Sequence, residues 1–144
     1  MTNPTARKFG YPRTLVGETP HWLVLARPQQ PTYGALVLVC KDEATAFSDI
    51  SAGAFADLQQ AVAGIEALLR HTVAYERINY LMLMMVDPDV HFHVIPRYEG
   101  ERTYGGKTFK DAGWPGPPAL ASHVALSEEE AATLAADFAA RWRA

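Results

Sequence analysis

The chain has 144 residues, of which 49% are hydrophobic and 20% are charged, and its formal net charge is −3. This length and composition predict one globular domain, residues 1–144, with a hydrophobic core. The small negative charge argues against broad electrostatic binding to nucleic acid or to anionic membranes. A single cysteine, Cys40, excludes an intramolecular disulfide and a cysteine-based metal cluster. No apolar stretch is long enough to cross a membrane and the first residues lack the pattern of a signal peptide, so we expect a cytoplasmic protein.

The first half of the chain predicts an arm, three short strands and one long helix. Residues 1–13 contain two prolines and a glycine, and we expect them to form an irregular N-terminal arm. Three β-prone runs are the predicted strands: residues 14–16, Trp22–Ala26 and Leu36–Cys40. Ser51 is a suitable N-cap for a helix that runs to about His71, because apolar residues recur there at steps of three and four.

The second half predicts two longer strands, a loop and a final helix. Residues 79–86 are almost wholly apolar and are expected to form a central strand buried on both faces. Residues 89–97 alternate polar and apolar side chains and predict the strand that follows. Residues 98–126 are rich in glycine and proline, and we expect a long loop region with one edge strand at most. Ser127 and Glu130 have the spacing of a capping box and predict the start of the last helix.

These elements predict an α+β fold. The strands outnumber the helices, and the two longest strands follow one another across a tight turn, which favours antiparallel pairing. We therefore expect an antiparallel sheet with two main helices packed on it. A doubly wound parallel sheet requires repeating βα units, and the sequence contains none.

The strand predicted over residues 89–97 carries the side chains best suited to chemistry. The alternation of a β-strand would set Asp89, His91 and His93 in a row on one face and apolar residues on the other. Imidazole titrates near neutral pH and serves as a nucleophile, a proton carrier or a metal ligand. Two imidazoles and a carboxylate in register therefore indicate a functional site.

Three interpretations of this row are open from residue types alone. In the first, His91 projects into a cleft and attacks phosphorus to form a covalent phospho-histidine, while His93 donates to the phosphoryl oxygens. In the second, Asp89, His91 and His93 bind a metal ion. In the third, the histidines are packed or surface residues without a chemical role. Arg97 follows on the same strand, and its planar guanidinium is suited either to a phosphate or to an ordinary salt bridge.

One family shares this pattern. The run His91-Phe-His-Val-Ile-Pro-Arg97 resembles the second half of the histidine triad (HIT) motif, in which three histidines alternate with apolar residues. His93 and the Val-Ile-Pro-Arg that follows match the third histidine and its tail. His91 then matches the central histidine, and Asp89 stands at the position of the first. The resemblance extends more loosely over residues 14–97.

The resemblance implies a HIT-like antiparallel sheet of about five strands and an enzyme that hydrolyses or transfers nucleotidyl groups at an α-phosphate. The implied substrates are dinucleoside polyphosphates, nucleoside phosphoramidates and similar nucleotides. His91 would become nucleotidylated with help from His93, and no metal or other cofactor is needed for that step. Asp89 and Arg97 are expected at the substrate phosphates. The implied partners are the small-molecule nucleotide and a second copy of the chain in a homodimer.

The chain departs from the family pattern at several positions. Asp89 replaces the first histidine, and its carboxylate would repel an anionic phosphate unless it is protonated or hydrogen-bonded. The family often has Gly, Gln and Ser or Thr just before the triad, whereas residues 84–86 here are Met-Met-Val. Many members carry a further histidine at the start of the preceding central strand, where this chain has Ala35 or Leu36.

Two alternatives to a HIT-type enzyme remain open. One is a non-catalytic nucleotide-binding module that keeps the fold without turnover. The other is a small metal-dependent enzyme that uses Asp89, His91 and His93 as ligands.

Overall fold

The structure, a computed structural model, describes residues 3–143. The strands in this part of the chain are β1 (Leu15–Glu18), β2 (Trp22–Ala26), β3 (Gln29–Gln30), β4 (Leu36–Cys40), β5 (Arg77–Leu81), β6 (His91–Arg97), β7 (Glu101–Tyr104), β8 (Lys107–Lys110) and β9 (Val124–Ala125). The helices are α1 (Pro4–Lys8), α2 (Ala52–Thr72) and α3 (Glu128–Ala139), and a short 3-10 turn spans Phe47–Asp49. Within residues 3–143, none of the helices combines the length and the apolar character that crossing a membrane requires.

Five strands form one antiparallel sheet in the order β1-β2-β4-β6-β5. This arrangement confirms the predicted α+β class and the expected sheet of about five strands. In the register between β4 and β6, Val39 lies opposite His91 and Val37 lies opposite His93. Every residue of β2 and β4 is buried, which agrees with their apolar sequences.

The two faces of the sheet bury different sets of residues. Helices α2 and α3 cover one face, where Val24, Leu38 and Val94 belong to the main hydrophobic core. The opposite face carries Leu25 and Val37, together with both histidines of β6. We call this second face the histidine face.

The two main helices begin where the sequence predicts. The Ser51 side chain accepts a hydrogen bond of 3.0 Å from the Ala54 amide, which caps α2. Ser127 and Glu130 form a complete capping box at the start of α3. Both caps satisfy backbone N–H groups that the first helical turn leaves without partners.

The prediction of an irregular arm over residues 1–13 is wrong for its central part, which forms α1. Asn3 caps this helix by accepting from the Ala6 amide at 2.9 Å, and Pro4 occupies the first helical position. An asparagine followed by proline is a known helix start, because proline has no N–H to lose there.

The strand predicted over residues 79–86 is wrong in its second half. Strand β5 ends at Leu81 and is an edge strand, so its residues are only partly buried. Met85 and Val86 are 84% and 81% exposed. Apolar character alone suggested a central strand, but the sheet order sets β5 at the border.

The region 98–126, predicted as a long loop with one edge strand at most, contains a β-hairpin and a further short strand. Strands β7 and β8 pair across Gly105 and Gly106, whose φ angles are 58° and 77°. Positive φ at both central residues is the requirement of a tight type I′ hairpin turn, which glycine meets without strain. Strand β9 pairs with β3.

Candidate active site

His91 is the first residue of β6, and its ring is fixed by a backbone carbonyl. The His91 Nδ1 atom lies 2.6 Å from the carbonyl oxygen of Asp89. A carbonyl only accepts hydrogen bonds, so the proton of the neutral ring sits on Nδ1 and the lone pair on Nε2. This is the acceptor that the nucleophile interpretation requires, and it fixes the ring tautomer.

His93 lies beside His91 on the histidine face. The ring centroids are 5.1 Å apart and the planes meet at 82°. Burial of the His93 ring, with a further contribution from the nearby charge of Arg27, lowers the pKa of His93 to about 4. The ring is therefore neutral at pH 7, and it can donate one hydrogen bond to a phosphoryl oxygen. Its Nδ1 atom is buried without a hydrogen-bond partner in the described structure.

Both histidines lie beneath the N-terminal segment. The Phe9 ring packs over them, with its centroid 6.4 Å from that of His91 and 5.9 Å from that of His93. As a result His91 is only 1% exposed and His93 8%. The expectation that His91 projects into an open cleft is therefore wrong for this conformation. We call residues 3–9 the N-terminal cover.

Asp89 holds the N-terminal cover in place. Because β6 begins at His91, Asp89 precedes the strand and is not part of the predicted row. Its carboxylate accepts from the Thr5 amide at 3.2 Å, and its own amide donates to the Thr5 hydroxyl at 3.3 Å. An ion pair of 2.8 Å between Lys8 and Asp87 adds a second attachment. The Asp89 carboxylate, at the first triad position, is thus hydrogen-bonded to the N-terminal cover.

Arg97 shares the histidine face, but its guanidinium is bound to other protein groups. It forms two hydrogen bonds with Asp111, of 2.6 and 3.0 Å, and one with the Asn79 side chain of 2.7 Å. A further bond of 2.9 Å reaches the Gly116 carbonyl. Arg97 is buried, and these contacts attach the loop after β8 to the sheet. They favour a structural role for Arg97 over the predicted contact with substrate phosphate.

The metal interpretation finds no geometric support among residues 3–143. No group of three or more His, Cys, Asp or Glu side chains in this range is arranged so that it could hold a metal ion. Asp89, the predicted carboxylate ligand, turns to Thr5 instead of joining the two imidazoles.

Two residues of the site were missed by the sequence reasoning. Arg27 directly follows β2 and is separated by two residues from Leu25, which lies on the histidine face. The alternation of side chains along β2, extended by one residue, would therefore have predicted Arg27 on the same face. Phe9 had no comparable signal, because its contact with the histidines joins segments more than 80 residues apart.

Solved structures with the same fold come from bacteria, archaea and protozoa. A HIT protein from Sinorhizobium meliloti is 22% identical, with a TM-score of 0.71 over 96% of this chain and 93% of that chain. A diadenosine triphosphate hydrolase from Plasmodium falciparum is 11% identical, with a TM-score of 0.66 over 90% and 76% of the two chains. A hypothetical histidine triad nucleotide-binding protein from Sulfolobus tokodaii is 12% identical, with a TM-score of 0.59 over 89% and 84%.

The family model described as HIT domain matches residues 8–100. A search of curated proteins found no match to the sequence. The matched range contains all five strands of the large sheet and both histidines, whereas most of the N-terminal cover precedes it. The chain belongs to the HIT domain family.

Proposed function

We propose that the protein is a nucleotide hydrolase or nucleotidyl transferase that acts at an α-phosphate through His91. The observation that carries this proposal is the hydrogen bond from His91 Nδ1 to the Asp89 carbonyl, because it leaves the lone pair of the neutral ring on Nε2. The family match and the structural neighbours named as a diadenosine triphosphate hydrolase and as a nucleotide-binding protein support a nucleotide substrate. Dinucleoside polyphosphates and nucleoside phosphoramidates are the candidate classes.

The proposed reaction has two steps. His91 Nε2 attacks the α-phosphorus, and the bond from phosphorus to the leaving group breaks with its electron pair on the leaving group. Water or another acceptor then attacks the same phosphorus and loses a proton, and the bond from phosphorus to Nε2 breaks with its electron pair on Nε2, which restores the neutral ring. The neutral His93 ring donates a hydrogen bond to the phosphoryl oxygens as their charge grows.

The leaving group receives little help from the first triad position. The Asp89 carboxylate is bound to the Thr5 amide and does not reach toward the two imidazoles. A leaving group that departs as a stable anion, such as a nucleoside polyphosphate, needs no proton at that moment. This favours dinucleoside polyphosphates over substrates whose leaving group is an amine.

Turnover also requires movement of the N-terminal cover. Phe9 and α1 lie over the histidine face, so a substrate must displace them before phosphorus can approach His91. The cover is attached by the burial of Ala6 and Phe9 against the histidine face, and its polar attachments include a few hydrogen bonds and one ion pair whose lysine is half exposed. Each polar attachment contributes only about 0.5–1.5 kcal/mol and the buried Phe9 ring about 3 kcal/mol, which is within the range that ligand binding can offset.

A non-catalytic nucleotide-binding module is the second candidate. The burial of His91 to 1% exposure favours it, because a covered nucleophile has no access to a substrate. In this case nucleotide would bind to the protein without reaching the ring.

Rapid-quench mass spectrometry separates the two candidates. The full chain is mixed with a diadenosine polyphosphate, quenched and digested, with and without EDTA. We expect an added adenosine monophosphate group on His91 that persists in EDTA and is absent in His91→Ala. His123→Ala, which removes an exposed histidine, is the matched control and should keep the adduct. Nucleotide binding without adduct or turnover would favour the non-catalytic module, and activity abolished by EDTA would overturn the metal-free mechanism.

We further propose that the protein forms a homodimer through the border of the sheet at β5. This strand has a partner on one side only, and the segment after it exposes Leu83, Met85 and Val86. Free strand edges and exposed apolar side chains are typical of interaction surfaces. Light scattering should give twice the monomer mass for the full chain and the monomer mass for Met85→Glu/Val86→Lys. A monomeric unsubstituted chain would overturn the proposal.

A further inference from the structure

Arg27 is a half-buried cation that directly follows β2. No carboxylate of the described residues lies within ion-pair distance of its guanidinium, and its Nε atom is buried without a hydrogen-bond partner. One terminal nitrogen donates to the Gln29 carbonyl at 2.7 Å. Burial lowers the pKa of Arg27, and no neighbouring group compensates for this. Arg97 differs from Arg27 because its Nε atom donates a hydrogen bond to Asp111, which also neutralises its charge.

The backbone register sets Arg27 near His93. The Arg27 amide donates to the Ala35 carbonyl at 3.1 Å, which continues the β2–β4 pairing by one residue. Two residues further along β4, Val37 lies opposite His93 on β6. Among the charges that act on His93, Arg27 is the largest contributor.

Within residues 3–143, the histidine face therefore holds two buried side-chain nitrogen atoms without hydrogen-bond partners, Nε of Arg27 and Nδ1 of His93. A buried polar atom without a hydrogen bond destabilises the fold, and a buried charge without a counter-charge does so more strongly. A neutral ligand would satisfy the hydrogen bonds but not the charge. An oxyanion satisfies both, because the guanidinium binds phosphate through two parallel N–H groups.

We propose that Arg27 binds a substrate phosphate next to the α-phosphate attacked by His91, and that the site thereby selects nucleotides with two or more linked phosphates. The assignment of the α-phosphate to His91 rests on the proposed function above. A nucleoside phosphoramidate or monophosphate carries no second phosphate and leaves Arg27 without a partner. The positive charge of Arg27 would stabilise the negative charge of the departing polyphosphate. The Asp89 carboxylate at the first triad position gives no such help.

Equilibrium binding tests the inference without any need for turnover. Dissociation constants for ADP and AMP are measured by calorimetry on the full chain, on Arg27→Gln and Arg27→Lys, and on the control Arg70→Gln. Arg70 is an exposed arginine on α2, away from the histidine face. We expect Arg27→Gln to weaken ADP binding by about tenfold to a hundredfold and AMP binding by less than about threefold, because only ADP loses charge-assisted hydrogen bonds to the guanidinium.

The lysine variant covers the case in which Arg27→Gln fails to fold. It keeps the charge and loses the planar fork, so ADP binding should weaken by about three- to tenfold and AMP binding should not change. Equal effects on both nucleotides, no effect on ADP, or equal affinity of the unsubstituted chain for ADP and AMP would overturn the inference. ADP binding that depends on Arg27, in a protein that forms no nucleotidyl-His91, would refute the proposed turnover and leave the Arg27 subsite standing.

Discussion

The side chain of His91 is hydrogen-bonded to the backbone of Asp89, at a distance of 2.6 Å. The Asp89 carbonyl accepts from His91 Nδ1, while the Asp89 carboxylate accepts from the Thr5 amide of the N-terminal cover. The residue at the first triad position therefore orients the proposed nucleophile and fastens the segment that covers it. A change in the Asp89 side chain should affect the cover and leave the ring tautomer intact, because the backbone carbonyl remains.

Removing the Asp89 carboxylate should loosen the cover. We expect Asp89→Ala to lower the free energy of unfolding by about 1 kcal/mol, since the Thr5 amide loses its acceptor. Asp89→Asn keeps an oxygen there and should have a smaller effect. Urea unfolding measures both, with Asp49→Ala as an exposed acidic control. Nitrogen-15 NMR of the imidazole should still find the proton on His91 Nδ1, and a proton on Nε2 would contradict the assigned role of the carbonyl.

Removing the Phe9 ring should expose both histidines. Phe9→Ala is expected to increase the rate at which diethyl pyrocarbonate modifies His91 by about tenfold or more, because Phe9 packs over the ring. It should also destabilise the fold by about 3 kcal/mol, as truncation of a buried phenylalanine does. Phe55→Ala, at a partly exposed phenylalanine of α2, is the control. Mass spectrometry maps the modification under conditions where the protein stays folded, and an unchanged rate would refute covering by Phe9.

Stability should fall below pH 6.5 because of His93. Its pKa is about 4 in the folded protein and near 6.5 in the unfolded chain, so the unfolded state binds more protons between these values. The contribution of His93 to the free energy of unfolding is therefore largely present above pH 6.5, and it decreases as the pH falls toward 4. Between pH 7.5 and pH 5 we expect this group to account for a loss of about 1–2 kcal/mol.

Urea unfolding at the two pH values measures this loss. His93→Gln should show a smaller decrease with falling pH than the unsubstituted chain, and the exposed-site control His123→Gln should follow the unsubstituted chain. An equal decrease in His93→Gln would assign the pH dependence to other groups.

The buried pair of Arg97 and Asp111 should contribute to stability without taking part in nucleotide binding. Arg97→Met or Asp111→Asn leaves a buried charge without its partner, and we expect a loss of about 3–5 kcal/mol. The double variant Arg97→Met/Asp111→Leu should be less destabilised than the sum of its single changes. Arg70→Met, at an exposed ion pair, should change stability by less than about 1 kcal/mol. A tenfold loss of ADP affinity in folded Arg97→Met would show instead that Arg97 binds substrate phosphate.

Local patterns in the sequence determined most of the fold. The spans of β2 and β4, the caps of α2 and α3, and the shared face of His91 and His93 follow from periodicity and from side chains within a few residues. The edge position of β5 and the hairpin of β7 and β8 were not predicted. Apolar content does not indicate which strand lies at the border, and paired glycines indicate a turn without indicating what they join.

The environment of the site was decided by tertiary structure. Thr5 and Asp89 are 84 residues apart, and Arg97 and Asp111 are 14 apart, so no local periodicity encodes either contact. Alternation along β6 predicts that two imidazoles share a face of the sheet. Whether that face is open, and which charges on it are neutralised, depends on distant segments that fold back over it.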